Sequence, residues 1–108
     1  MTFAEYQNLA RRTQNSELSP IERIEHSLWG LSAEVGEVCG LFQKIHQGHE
    51  FSQDALIKEI GDVLWMVAEL CDANELDMGK VAEMNIAKLR KRYPAGFEAV
   101  LSIYRGDE

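Results

Sequence analysis

The chain has 108 residues, with 11 basic and 18 acidic side chains and a formal net charge of −7. This length predicts a single domain over residues 1–108. The negative charge argues against a nucleic-acid groove and against binding to anionic lipid, since both need clustered basic residues. No stretch approaches the ~18 apolar residues of a membrane span, and no signal peptide is recognisable. We interpret the two cysteines, Cys39 and Cys71, as reduced and buried, and we expect a cytoplasmic protein.

Two capping boxes predict where the first helices begin. The box at Thr2 opens a short helix to about Arg12, and the box at Ser19 opens a long helix that ends near Gly48. Apolar residues in the long helix recur at alternating spacings of three and four, which is typical of a coiled-coil seam. The seam consists of Ile21, Ile24, Leu28, Leu31, Val35, Val38, Phe42 and Ile45.

Two further helices and a short tail complete the predicted fold. Ser52 caps the third helix, which runs to about Asn74, and Asp77 caps the fourth, which ends at about Tyr93 before Pro94. Residues 97–104 are expected to form one more short helix, and residues 105–108 to fray. No segment alternates with period two. The fold class is therefore all-α, an antiparallel helical bundle of four main helices.

Small and aromatic residues on these helices have an ordinary and a functional interpretation. The glycines of the long helix, at positions 30, 36 and 40, indicate a close approach by a neighbouring helix or, less commonly, by a ligand. Trp29 and Trp65 are candidates for stacking on a base. Both lie in apolar helical stretches, so core packing is the favoured interpretation.

Two acidic pairs occupy unexpected surroundings. Glu34-x-x-Glu37 lies on the long helix and Glu59-x-x-Asp62 on the next, and the i, i+3 spacing places each pair on one helix face. Both stretches are otherwise poor in charged residues, so the carboxylates lack nearby cations. Unpaired carboxylates are costly to desolvate. A hard divalent cation, Mg²⁺ or Mn²⁺, would neutralise them.

Four polar or basic residues are candidates for binding an anion held by such a metal. Lys44 lies seven residues after Glu37, on the same stripe of the long helix. Asn85, Lys88 and Arg92 share a face of the fourth helix, and Asn85 is expected to turn partly inward. Phosphate binding is one interpretation. A solvated basic face near a helix C-terminus is the other. The second interpretation is favoured for the fourth-helix residues, whereas for Lys44 the spacing favours neither.

Together these motifs resemble the MazG-like all-α nucleoside triphosphate pyrophosphohydrolases. The resemblance rests on Glu34-x-x-Glu37, on Glu59-Ile-Gly-Asp62-Val-Leu-Trp, and on the 21 residues that separate the two pairs. The segment from Asn85 to Phe97 is similar to the fourth-helix segment of the family. The resemblance covers residues 24–97, most of the chain.

The resemblance implies hydrolysis of a (d)NTP between its α and β phosphates, which releases a (d)NMP and pyrophosphate. It implies Mg²⁺ held by Glu34, Glu37, Glu59 and Asp62, with Glu34 or Glu37 acting as general base on a water molecule. Lys44 and the residues of the fourth helix (Asn85, Lys88 and Arg92) would bind phosphate groups. It also implies a homodimer or homotetramer. Removal of aberrant nucleotides from the nucleotide pool is a family-level expectation.

Two alternatives stay open at this point. The seam and the small size are also compatible with a non-catalytic helical interaction module. Within the superfamily, the substrate is alternatively dUTP, dCTP or phosphoribosyl-ATP, because base selectivity depends on a pocket shape that the motifs do not specify.

Overall fold

The structure, a computed structural model, describes residues 1–104. It contains five helices: α1 (Phe3–Arg11), α2 (Pro20–His46), α3 (Gln53–Ala73), α4 (Met78–Arg92) and α5 (Ala99–Ile103). No strand occurs in this part of the chain, so the all-α prediction is confirmed. The predicted fraying of residues 105–108 lies outside the described residues.

Side-chain caps fix the helix starts that the sequence predicts. The Thr2 hydroxyl accepts a hydrogen bond from the Glu5 backbone N–H, and the Glu5 carboxylate accepts one from the Thr2 N–H. Ser19 and Glu22 form the same reciprocal pair at the start of α2. Each pair satisfies backbone donors that have no partner inside the helix, and so stabilises the helix end.

Helices α2 and α3 form the main packing unit, an antiparallel hairpin. The chain leaves α2 through Gly48, whose φ of 97° lies in the left-handed region that favours glycine. Phe42 and Phe51, on either side of this turn, have ring centroids 6.0 Å apart. Farther from the turn, Ser27 on α2 and Glu69 on α3 are fully buried. The hairpin thereby sets the acidic motifs of the two helices opposite each other.

A small apolar core joins α1 to the far half of α3 and to the start of α4. Its buried members are Ala10, Ala68, Cys71 and Met78, and Tyr6, Leu64, Trp65 and Val67 pack against them. Helix α4 makes its main packing contacts with α1. Helix α4, which contains the basic segment, therefore packs on α1 and lies outside the main α2–α3 contact.

A polar network centred on Asp72 holds these elements together. The Asp72 carboxylate accepts hydrogen bonds from Gln7 at 2.7 Å, from Arg11 at 2.8 Å and from Gln14 at 2.7 Å. The side-chain oxygen Oε1 of Gln7 in turn accepts a hydrogen bond from the backbone N–H of Met78, the first residue of α4. One carboxylate near the end of α3 thus fixes α1, the loop after it and the start of α4.

Two of the predicted core positions are wrong. Trp29 is 70% exposed and Cys39 is exposed, whereas Cys71 is buried as predicted. Trp65 is half-buried, packs against the core and donates its indole N–H to the Thr13 hydroxyl at 2.8 Å. Apolar helical surroundings indicated burial for all four. Trp29 and Cys39 differ because they lie on sides of α2 that α3 does not cover.

An apolar stripe on α2 is exposed. Ile21, Leu28, Val35 and Phe42 recur every seven residues and are 71%, 49%, 48% and 46% exposed; we call these four residues the α2 stripe. The radius of gyration is 17.1 Å, whereas a compact chain of about 100 residues has one near 13 Å. The single chain is thus extended and leaves much apolar surface exposed. No helix within residues 1–104 is long and apolar enough to cross a membrane.

Candidate metal centre

Three carboxylates converge where α2 faces α3. Glu34 comes from α2, and Glu59 and Asp62 come from consecutive turns of α3. Each offers one carboxylate oxygen, and these oxygens all lie within 4.8 Å of one another. Glu34 and Glu59 are half-buried and Asp62 is exposed. Of the four predicted ligands, three are therefore brought together by the antiparallel packing of the two helices.

The three carboxylates of this cluster repel one another, and no basic side chain among residues 1–104 forms an ion pair with them. Desolvation raises the pKa of Glu34, and the charges of Asp62, Glu59 and Glu37 raise it further. Among residues 1–104 the structure records no ion pair to any member of the converged set. Oxygen-only ligands at this spacing suit a hard divalent cation such as Mg²⁺ or Mn²⁺. The donor set thus fits the metal that the sequence predicts.

Glu37 lies outside the converged set. Its side chain is exposed, one helical turn beyond Glu34 on α2. Its charge still contributes to the raised pKa of Glu34, which places it within electrostatic range of the cluster. Glu37 is therefore a neighbour of the three carboxylates, and its predicted role as a ligand or base stays a prediction.

The predicted phosphate-binding residues are spread over two helices. Lys44 is exposed in the last turn of α2. On α4, Asn85 and Lys88 are exposed and Arg92 is half-buried. The prediction that Asn85 turns partly inward is wrong, because α4 packs mainly on α1 and leaves this face open. Within one chain, α4 and the carboxylate cluster thus belong to different packing units.

Only one of the three glycines on α2 is closely approached by another part of residues 1–104. A Cβ atom at residue 30 would overlap the Sδ atom of Met66 on α3. A Cβ atom at residue 36 or 40 would have no such neighbour within 4 Å among residues 1–104. The predicted close approach is therefore confirmed at Gly30, where the neighbour is a flexible side chain of the facing helix.

Sequence reasoning missed a polar pair that lies deeper in the same helix interface. The His26 Nδ1 atom on α2 lies 2.5 Å from Oε1 of Glu69 on α3. A signal for it exists in the sequence, because Glu69 follows Asp62 by seven residues in a strongly apolar stretch. That spacing places both carboxylates on the same face of α3.

The fold and the site together define a helical protein with a candidate metal centre made only of carboxylates, held between two antiparallel helices. The MazG nucleotide pyrophosphohydrolase domain family matches residues 23–97, and the chain belongs to this family. The chain is also similar to the Gene 37 protein of Mycobacterium phage L5. The two are 35% identical over 83 residues, which cover 70% of this chain and 71% of the phage protein. The comparison with solved structures found no significant match.

Proposed function

We propose that this protein is a Mg²⁺-dependent pyrophosphohydrolase that converts a (d)NTP into a (d)NMP and pyrophosphate. The observation that carries the proposal is the convergence of Glu34, Glu59 and Asp62 to within 4.8 Å between α2 and α3. Membership of the MazG nucleotide pyrophosphohydrolase family supports it independently, since the matched residues 23–97 contain the whole cluster.

Glu34, Glu59 and Asp62 would hold the cation, with Glu37 as a fourth ligand or as the base beside it. The bound ion supplies positive charge to the triphosphate and favours deprotonation of a water molecule. Desolvation and then repulsion by the neighbouring carboxylates raise the pKa of Glu34, and a bound cation would offset both effects, which supports this role. Mn²⁺, which also prefers oxygen ligands, is the expected substitute.

Hydrolysis requires one water molecule and one proton acceptor. The water oxygen forms a bond to phosphorus at the α–β linkage, the bridging P–O bond breaks, and its electron pair leaves with pyrophosphate. A carboxylate takes the proton from the attacking water. Glu37 suits this role, because its exposed side chain lies one turn from Glu34 and outside the converged set. Glu34 is the other candidate base.

Binding of the triphosphate would use the basic residues, and we propose that a second subunit brings them to the cluster. Lys44 lies on α2, seven residues after Glu37. Asn85, Lys88 and Arg92 instead lie on α4, which packs on α1. A homodimer or homotetramer would bring the α4 residues of one chain to the carboxylates of another. The exposed α2 stripe and the radius of gyration of 17.1 Å support such an assembly, because both are unusual for an isolated chain.

The test is a nucleotide panel assayed with Mg²⁺, with Mn²⁺ and with EDTA. We expect pyrophosphate release from at least one canonical or modified (d)NTP, complete dependence on the divalent cation, and no release by the Glu59→Gln variant. The panel includes dUTP, dCTP and phosphoribosyl-ATP, which separate the specific relatives of the superfamily. A folded oligomer that releases no pyrophosphate from any of them would contradict the proposal.

The exposed α2 stripe also favours a second candidate, a non-catalytic helical interaction module. This candidate predicts that Mg²⁺ leaves the thermal unfolding midpoint unchanged. A rise of the midpoint with Mg²⁺ in the wild type, lost in Asp62→Asn, would favour the enzyme.

A further inference from the structure

Glu69 on α3 carries an unused hydrogen-bond acceptor in the protein interior. Its side chain is fully buried, and its Oε1 atom is bound by His26 Nδ1 at 2.5 Å. The other oxygen, Oε2, has no hydrogen-bond partner within residues 1–104. A buried carboxylate oxygen without a donor is costly, and folded proteins rarely leave one. Such an oxygen suggests a donor that arrives from outside the chain.

Glu69 is aligned with the candidate metal centre. It follows Asp62 by seven residues, so both lie on the same face of α3, two helical turns apart. At the rise of an α-helix this separation is about 10.5 Å along the axis. A nucleotide whose phosphates lie at the metal centre is long enough to place its base near Glu69.

Met66 lies between Asp62 and Glu69 on the same face of α3. Its flexible side chain approaches Gly30 so closely that a Cβ atom there would overlap its Sδ atom. Met66 thus occupies room that exists only because residue 30 is glycine. Methionine is unbranched and adopts alternative rotamers readily. A change of the Met66 rotamer would open a slot beside the Gly30 backbone, on the face of α3 that carries Asp62 and Glu69.

We propose that Glu69 is a specificity-determining residue that accepts a hydrogen bond from the exocyclic amino group of a nucleobase in this slot. The proposal rests on the proposed function above. An ionised carboxylate only accepts hydrogen bonds, so Oε2 selects an amino group and repels a carbonyl oxygen at the same position. His26 fixes the carboxylate through Oε1. The preferred substrates are nucleotides with a cytosine-type or adenine-type amino group, over their oxo counterparts.

The test compares substrates that differ in this group and in the proton on the adjacent ring nitrogen: dCTP with dUTP, and ATP with ITP. We expect the wild type to prefer the amino member of at least one pair by about 10-fold or more in kcat/KM. The oxo member would leave the buried Oε2 atom of Glu69 without a hydrogen bond, which is costly. In Glu69→Gln, whose amide also donates, the preference should fall to near unity or reverse. The exposed-site variant Glu83→Gln should keep the wild-type ratio.

The outcomes separate this inference from the proposed function. If Mg²⁺-dependent hydrolysis occurs but the wild type treats both members of both pairs alike, the inference about Glu69 is wrong and the proposed function stands. The same holds if folded Glu69→Gln keeps the wild-type ratio. The wild-type comparison decides without any variant, so misfolding of Glu69→Gln would not rescue the inference. If no nucleotide is hydrolysed, both proposals fail together.

Discussion

Glu34 and Asp62, 28 positions apart in the sequence, hold carboxylate oxygens within 4.8 Å of each other across the α2–α3 interface. Neither is in an ion pair among residues 1–104. Like charges at this distance repel, and partial burial of Glu34 strengthens the repulsion. The helix packing therefore maintains an arrangement that a bound cation would stabilise.

Removal of a ligand from this cluster should abolish activity without unfolding the protein. We expect Glu59→Gln and Asp62→Asn to lower kcat/KM by more than 100-fold, because even the outer partners of metal ligands cost roughly 10–100-fold. Asp54→Asn, at an exposed carboxylate in the first turn of the same helix, is the matched control. Pyrophosphate release and far-UV circular dichroism are the measurements. Wild-type rates in both ligand variants would exclude the cluster as the active site.

The raised pKa of Glu34 predicts how metal-free stability depends on pH. Because the folded state disfavours ionised Glu34, the free energy of unfolding should fall as pH rises from about 4 through the raised pKa. In EDTA at pH 7, Glu34→Gln should therefore raise the thermal midpoint, and Mg²⁺ should raise the midpoint of the wild type only. Glu25→Gln, exposed on the same helix, is the control. A lower midpoint for Glu34→Gln in EDTA would contradict this reasoning.

Asp72 should have the opposite effect on stability. Burial by itself raises its pKa, but hydrogen bonds from Arg11, Gln14 and Gln7 outweigh burial and hold the pKa below its usual value. This stabilisation is complete above about pH 4 and is lost as pH falls through the lowered pKa. Asp72→Ala should cost about 1–3 kcal/mol at pH 7, since it removes the acceptor that Gln7, Arg11 and Gln14 share.

Urea unfolding of wild type and Asp72→Ala between pH 2.5 and 7 is the measurement. The difference between the two free energies of unfolding should shrink toward the acidic end. A difference that is independent of pH would show that the Asp72 carboxylate charge does not stabilise the junction of α1, α3 and α4.

The α2 stripe should mediate self-association. We expect Val35→Asp to shift the protein from a dimer or tetramer to smaller species in size-exclusion chromatography with light scattering, because it places a charge in an apolar contact. Gln43→Asp adds the same charge to an exposed polar site of the same helix and should leave the mass unchanged. A wild type that is monomeric at all concentrations would contradict the proposed assembly.

The sequence predicted the helices well because their signals are local. The reciprocal caps at Thr2 and Ser19 and the uninterrupted apolar spacing of α2 depend only on neighbouring residues. The convergence of Glu34 with the acidic pair of α3 also followed, since a short turn forces the two helices to pack antiparallel. Helix periodicity thus sufficed to identify the helix faces on which Glu34, Glu59 and Asp62 meet.

The wrong predictions concern which faces of the helices are covered by other parts of the chain. Trp29 and Cys39 were expected to be buried, and Asn85 to turn partly inward, yet all three are exposed. Periodicity reports which residues share a side of a helix and not whether another element reaches that side. The contacts of Glu69 with His26 and of Asp72 with Gln7 join residues 43 and 65 positions apart. Only the tertiary packing brings them together.

The central claim is that the protein is a Mg²⁺-dependent (d)NTP pyrophosphohydrolase. The products that it forms from a nucleotide test this claim most directly. Incubation of the protein with Mg²⁺ and the best nucleotide of the panel, followed by ³¹P NMR and nucleotide chromatography, measures which phosphate bond breaks. Cleavage between the α and β phosphates predicts nucleoside monophosphate and pyrophosphate in equal amounts, with neither product in EDTA or with Asp62→Asn. Nucleoside diphosphate with orthophosphate, or products that form equally well in EDTA, would contradict it.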